Sequence, residues 1–101
     1  MFYVGVDIGT SSIKFIVLSE KLDITETIQR EVDLSINKDN IVQYNPAQIH
    51  ELVRKELERL SSKYRHIRVG LICHSLSLVI MDRDGTLLRP SYGWISGLRE
   101  K

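Results

Sequence analysis

An aspartate, a glycine, three hydroxyl residues and a lysine fall within one short stretch, VGVDIGTSSIK, as Asp7, Gly9, Thr10, Ser11, Ser12 and Lys14. These residue types suit an anion held next to a cation. A tight loop at Gly9 can aim backbone N–H groups at an anion. Thr10, Ser11 and Ser12 add hydroxyl donors, and Lys14 adds a point charge for phosphate oxygens. Asp7 repels phosphate, but it can hold Mg²⁺, usually through waters, because Mg²⁺ dehydrates reluctantly. The stretch fits neither G-x-x-x-x-G-K-[ST] nor G-x-G-x-x-G. Its plainer reading is a polar turn closed by a cross-strand Asp7–Lys14 salt bridge.

The elements that must position these residues follow from periodicity. In residues 2–8, Phe2, Val4, Val6 and Ile8 alternate with Tyr3, Gly5 and Asp7, which is the pattern of a strand. A second apolar run covers 13–18, and residues 9–12 are short enough to be a hairpin loop. Ile8 then faces Ile13 and Asp7 faces Lys14, on one face, with Gly5 leaving room beside them. A third alternating run, 24–34, follows a turn at 21–23 and reads as an edge or half-solvated strand. Residues 35–45 are polar and read as a surface loop. Asn45-Pro46 is a helix start, with a cap residue before proline at the first helical position. The helix is expected over 46–63, with Ile49, Leu52, Val53, Leu57 and Leu60 as its apolar stripe and Glu51–Lys55 as an i,i+4 pair. The run IRVGLIC (67–73) suggests a parallel strand buried on both sides, reached by a right-handed crossover. A hairpin is expected over 78–90, turning at Asp84-Gly85 and ending at Pro90. The fold class is α/β: a ribonuclease-H-like mixed sheet in the order β-β-β-α-β plus a β-hairpin.

The 101 residues suffice for one domain with a modest core. The sequence has 14 basic and 13 acidic residues, for a net charge of +1, and 27% charged and 43% hydrophobic residues. That is the balance of a soluble globular chain without the electrostatic footprint of a nucleic-acid or anionic-membrane binder. No stretch approaches the ~20 apolar residues of a bilayer span, and no secretory signal is evident. No membrane association is expected, and the cytoplasm is the default location. The single cysteine, Cys73, reads as a small core residue, and His50 and His66 share no metal spacing with it.

Three segments resemble the FGGY carbohydrate kinases, such as xylulokinase and gluconate kinase, within the actin, Hsp70 and sugar-kinase ATPase superfamily. VGVDIGTSSIKFIVLSE is similar to the superfamily's first phosphate motif. IVQYNPAQIHELVRKEL is similar to the family's segment of an acid or amide followed by Asn/Asp-Pro and a helix. VGLICHSLSLVIMDRDGTLLRPSYGW is similar to its strand, substrate loop and hairpin with Asp-x-x-Gly, Leu-Arg-Pro and Trp. The resemblance covers nearly the whole chain. It implies the incomplete first lobe of an actin-like ATPase, spanning 1–101. Its parts would be a phosphate hairpin at 7–14, a substrate loop at 72–77 and the hairpin at 78–90. It further implies ATP and Mg²⁺ as cofactors, a sugar hydroxyl as phosphoryl acceptor, Asp7 on the metal side, Gly9, Thr10 and Ser11 in the phosphate hairpin, and Lys14 near the phosphates.

The sequence departs from the family in two places. His74, Ser75 and Leu76 stand where the family's Gln, Met and His of the substrate loop usually lie, and Ser96 stands where an acid often follows the tryptophan. His74, Ser75 and Trp94 are the candidates for sugar contact, Trp94 either by stacking on a sugar face or by covering an open end of the sheet. The family's catalytic-base aspartate, second phosphate motif and adenosine motif come from parts outside these residues. No residue here takes the catalytic role, and the isolated piece is expected to be inactive. Two other readings remain. One is a non-catalytic ribonuclease-H-like module that associates through an exposed sheet edge, including with itself. The other is a two-metal nuclease, in which Asp7 would need Glu51 or Glu56 as a partner.

Overall fold

The computed structural model describes residues 1–9, 11–36, 38–40, 42–73, 80–88 and 91–92. Strands β1 (Phe2–Ile8), β2 (Ser12–Leu18) and β3 (Ile24–Glu31) form an antiparallel meander. Helix α1 (Pro46–Lys63) then leads to β6 (Ile67–Cys73), which pairs parallel to β1, giving the sheet order β3-β2-β1-β6. This is the mixed sheet that the alternation and crossover predict. Among the described residues, no helix is long and apolar enough to cross a membrane.

The core forms where the two periodicities meet. Alternate residues of β1 and β2 (Val4, Val6, Ile13, Phe15 and Val17) and Ile28 of β3 are buried against the α1 stripe of Ile49, Leu52, Val53, Leu57 and Leu60. Asn45 starts α1: its side chain accepts from the Ala47 and Gln48 amides at 3.1 and 3.3 Å, and Pro46 has no donor to leave orphaned. Ion pairs fasten the helix to the β3 edge. Buried Glu56 accepts from Arg30 at 2.8 Å and from Arg59 at 2.7 Å. Glu26 accepts from Arg59, Lys63 and the Tyr64 hydroxyl.

Four expectations are corrected. Residues 35–45 are not simply a loop. Leu34 and Ile36 flank Ser35, and Val42 and Tyr44 flank Gln43, so two short runs alternate around the polar turn. They pair as β4 (Leu34–Ile36) and β5 (Val42–Tyr44), and β7 (Ser91–Tyr92) adds to β5 beyond Pro90. The third run breaks after Glu31, and Leu34 opens the second sheet.

β6 is not buried on both sides. Val69 and Leu71, on the side of α1, are 46% and 60% exposed, and Ile72 on the other side is 66% exposed. α1 covers β1, β2 and β3, and β6 is the last strand of the described sheet. Cys73 is therefore exposed rather than a core residue.

Of the expected hairpin over 78–90, the described part is the turn. Met81 bridges Leu87, and Asp82 Oδ1 accepts from the Asp84 and Thr86 amides at 2.9 Å. Gly85 takes φ +85°, the left-handed conformation in which glycine carries no steric penalty.

Candidate functional site

The β1–β2 register places Asp7 opposite Lys14 and Ile8 opposite Ile13. Since Val6 and Phe15 point into the core, Asp7 and Lys14 share the face that α1 does not cover, and both are exposed. Among the described residues they form no ion pair with each other, so the plain reading of a closing salt bridge is not realised. Two opposite charges stand side by side at the mouth of the loop, each open to a ligand.

The loop is closed by Gly9, whose N–H donates to the Ser12 carbonyl at 2.9 Å. A Cβ at position 9 would lie 3.0 Å from that same carbonyl oxygen, so any side chain there would crowd the bond that closes the turn. The Gly9 amide is thereby committed within the turn and does not face outward, contrary to the expectation that it would help cradle an anion. Among the described residues, the hydroxyls of Ser11 and Ser12 and the Lys14 ammonium are side-chain donors at this end. The Ser11 carbonyl accepts from the Val32 amide at 2.9 Å, which ties the loop to the residue that follows β3.

One feature escaped sequence reasoning. The parallel register places Gly70 of β6 beside Gly5 of β1, and a Cβ at either would meet nothing within 4 Å. The two glycines make a bare floor beside Asp7. The signal was present in the matching runs YVGVDI and RVGLIC, which align Val4 with Val69 and Gly5 with Gly70 once the strands are paired.

For a magnesium ion, the described residues offer one exposed carboxylate beside open space, and no group of three metal-ligating side chains. That fits an ion that keeps most of its waters and takes its other ligands from phosphate. It does not fit a two-metal nuclease. Glu51 and Glu56 lie on α1, which packs on the face opposite Asp7. Glu51 is engaged by Arg54 and Glu56 by Arg30 and Arg59. Thr10, His74, Ser75 and Trp94 lie outside the described residues.

Comparison with known proteins bears on the family and the fold. The family model described as the FGGY family of carbohydrate kinases, N-terminal domain, matches residues 2–97. A xylulose kinase of Staphylococcus xylosus is 26% identical over 96 residues, which is 92% of this chain and 20% of that protein. The crystal structure of a gluconate kinase from Lactobacillus acidophilus superposes with a TM-score of 0.87 at 20% identity, covering 98% of this chain and 20% of that one. A Plasmodium falciparum glycerol kinase solved with ADP superposes with a TM-score of 0.75 at 19% identity, covering 94% of this chain and 20% of that one. These two structures share its fold. The chain thus spans about a fifth of the length of the relatives it matches. With a family model matched from residue 2 to residue 97, the chain belongs to the FGGY carbohydrate kinases and represents their N-terminal domain.

Proposed function

We propose that this chain is the N-terminal portion of an ATP-dependent, cytoplasmic sugar kinase, and that its β1–β2 loop holds the phosphates of a magnesium–nucleotide complex. The observation that carries the reading is the placement of Asp7 and Lys14: paired in register, exposed on one face, unpaired with each other, and set beside the Gly5–Gly70 floor. A bound Mg²⁺ would supply positive charge to offset that of the phosphates. Asp7 would hold that ion through its waters. Lys14 and the hydroxyls of Thr10, Ser11 and Ser12 would engage phosphate oxygens directly, and Gly9 would keep the turn tight enough to present them. His74, Ser75 and Trp94 would meet the sugar. With Asp7 given to the metal, this reading assigns no residue of the chain to take the proton of an acceptor hydroxyl, so the chain by itself would bind nucleotide without turning over.

Titration calorimetry with Mg·ADP tests this. Weak binding is expected, reduced by about tenfold or more in Asp7→Asn, which corresponds to about 1.4 kcal/mol. A chain that binds no nucleotide, or an Asp7→Asn variant that binds as well as the parent, overturns the reading. A coupled phosphorylation assay is expected to show no turnover.

A second reading is favoured by a separate observation. Among the described residues β6 is the last strand of its sheet, with Leu71 and Ile72 exposed on its opposite faces. Such an edge is a template for strand addition, which supports a non-catalytic association module, self-association included. Concentration-dependent sedimentation together with absent nucleotide binding would favour that reading.

A further inference from the structure

We propose that Gln48 and Asp33 are positioning residues for the β1–β2 loop, clamping its outer half to the first turn of α1. This rests on the reading that the loop holds phosphate. Gln48 is the third residue of α1. Its backbone amide is capped by Asn45, while its side chain reaches away from the helix to Asp33. Gln48 Nε2 donates to Asp33 Oδ2 at 2.7 Å, and the Asp33 amide donates to Gln48 Oε1 at 3.1 Å. The pair is reciprocal, so it fixes both the side chain and the backbone of Asp33. The preceding residue, Val32, is buried in the core, and its amide donates to the Ser11 carbonyl at 2.9 Å. Ser11 sits inside the turn that Gly9 closes on Ser12. A continuous chain of hydrogen bonds therefore runs from the α1 N-terminus through Asp33 and Val32 to the hydroxyl-bearing side of the loop.

The clamp has a specific consequence. Ser12 is paired with Glu31 of β3, and the Val32 bond carries that pairing one residue further, onto exposed Ser11 inside the turn. Gln48 in turn holds Asp33, the residue at which the pairing ends, so the β3 side of the loop is fixed to α1 rather than left to fray. A pre-positioned set of donors binds an anion without the ordering cost that a swinging loop would carry.

The test is amide hydrogen exchange on the ligand-free chain, combined with Mg·ADP affinity. Gln48→Ala removes both side-chain bonds and leaves the Asn45 cap in place. Exchange at the Gly9 and Val32 amides is expected to quicken by roughly 5- to 10-fold, the scale of one ordinary hydrogen bond. The Phe15 and Leu60 amides should be unchanged, and Mg·ADP affinity should fall several-fold. Asp33→Asn keeps an oxygen acceptor for Gln48 and is expected to behave like the parent. Unchanged exchange at Gly9 and Val32 in Gln48→Ala overturns the clamp, whatever the nucleotide result. Equal acceleration at Phe15 and Leu60 overturns it as well, since the pair would then be a global stabiliser. Faster local exchange with undiminished affinity removes the positioning role. A parent chain that binds no nucleotide, with the local exchange effect intact, overturns the phosphate reading and this role with it, while leaving the clamp as a structural fact.

Discussion

On the face that α1 covers, Val4, Val6, Ile13, Phe15 and Val17 are sealed from water, whereas on the other face Gly5, Asp7, Lys14 and Ile16 of the same strands lie open. The two faces alternate residue by residue along the same strands, so backbone and register are common to both. Only the side chains and what covers them differ. One face is specified by packing, where a lost methylene is felt. The other carries two glycines with nothing in front of them and two charges that do not pair with each other. A face with that much chemistry and so little packing contributes little to stability and is free to serve a ligand. Mutations should therefore separate: the covered face should cost folding, and the open face should cost binding.

The largest effect is expected at Phe15, fully buried at the centre of the cluster. Phe15→Ala removes a ring that the helix cannot collapse to fill, at a cost of about 3–5 kcal/mol. Urea denaturation measures it. A cost below about 1 kcal/mol would mean that the covered face is not a packed core, and the contrast between the faces would fail.

An acid limb of stability is expected next, again from the covered side. Lys63, then Arg59, then the Tyr64 hydroxyl hold the Glu26 carboxyl at about 2, down from 4.5. Because the folded value lies below the unfolded one, the stabilisation is fully present above pH 4.5 and is lost as the pH falls toward 2. Glu26→Gln is expected to lower stability at neutral pH and flatten the profile across that window. A parent and variant with parallel profiles would show that this network contributes nothing. A smaller loss, about 1 kcal/mol, is expected for Asn45→Ala, which strips the cap from the Ala47 and Gln48 amides. Thermal unfolding reads it.

The legible parts of the fold were those with a local cause. Alternation in residues 2–8 and the apolar run at 13–18 placed the hairpin, and the loop length alone set Asp7 against Lys14. Asn45-Pro46 announced the helix, and its apolar spacing named the stripe that packs. What was missed had non-local causes. The strands β4 and β5 are three residues each, too short for alternation to rise above a polar background, and they exist because they pair with each other and with Ser91–Tyr92. The run IRVGLIC looked buried because it is apolar, but burial depends on what lies over a strand, and of β6 only Ile67 packs against the core beneath α1. In the candidate site, the residue types were readable and the direction of one amide was not. Gly9 was legible as a loop glycine, whereas the turning of its N–H onto Ser12 is a matter of hydrogen-bond geometry. Gly70 joined Gly5 only through register.

The smallest effect tests the open face most sharply, because its sign is opposite. Gly70 sits inside β6, where glycine carries a backbone entropy cost, and a Cβ there meets nothing within 4 Å. Gly70→Ala is therefore expected to raise stability by about 0.5 kcal/mol. Gly70→Leu places a branched side chain over the floor beside Gly5 and Asp7. It is expected to weaken Mg·ADP binding while leaving the urea midpoint equal to or above that of the parent. Phe15→Ala runs the other way, losing stability through packing alone. If Gly70→Ala instead destabilised the chain, something would have to occupy the space in front of the two glycines. The open face would then be a packed surface, and the side of the sheet that carries Asp7 and Lys14 would no longer be available to a nucleotide.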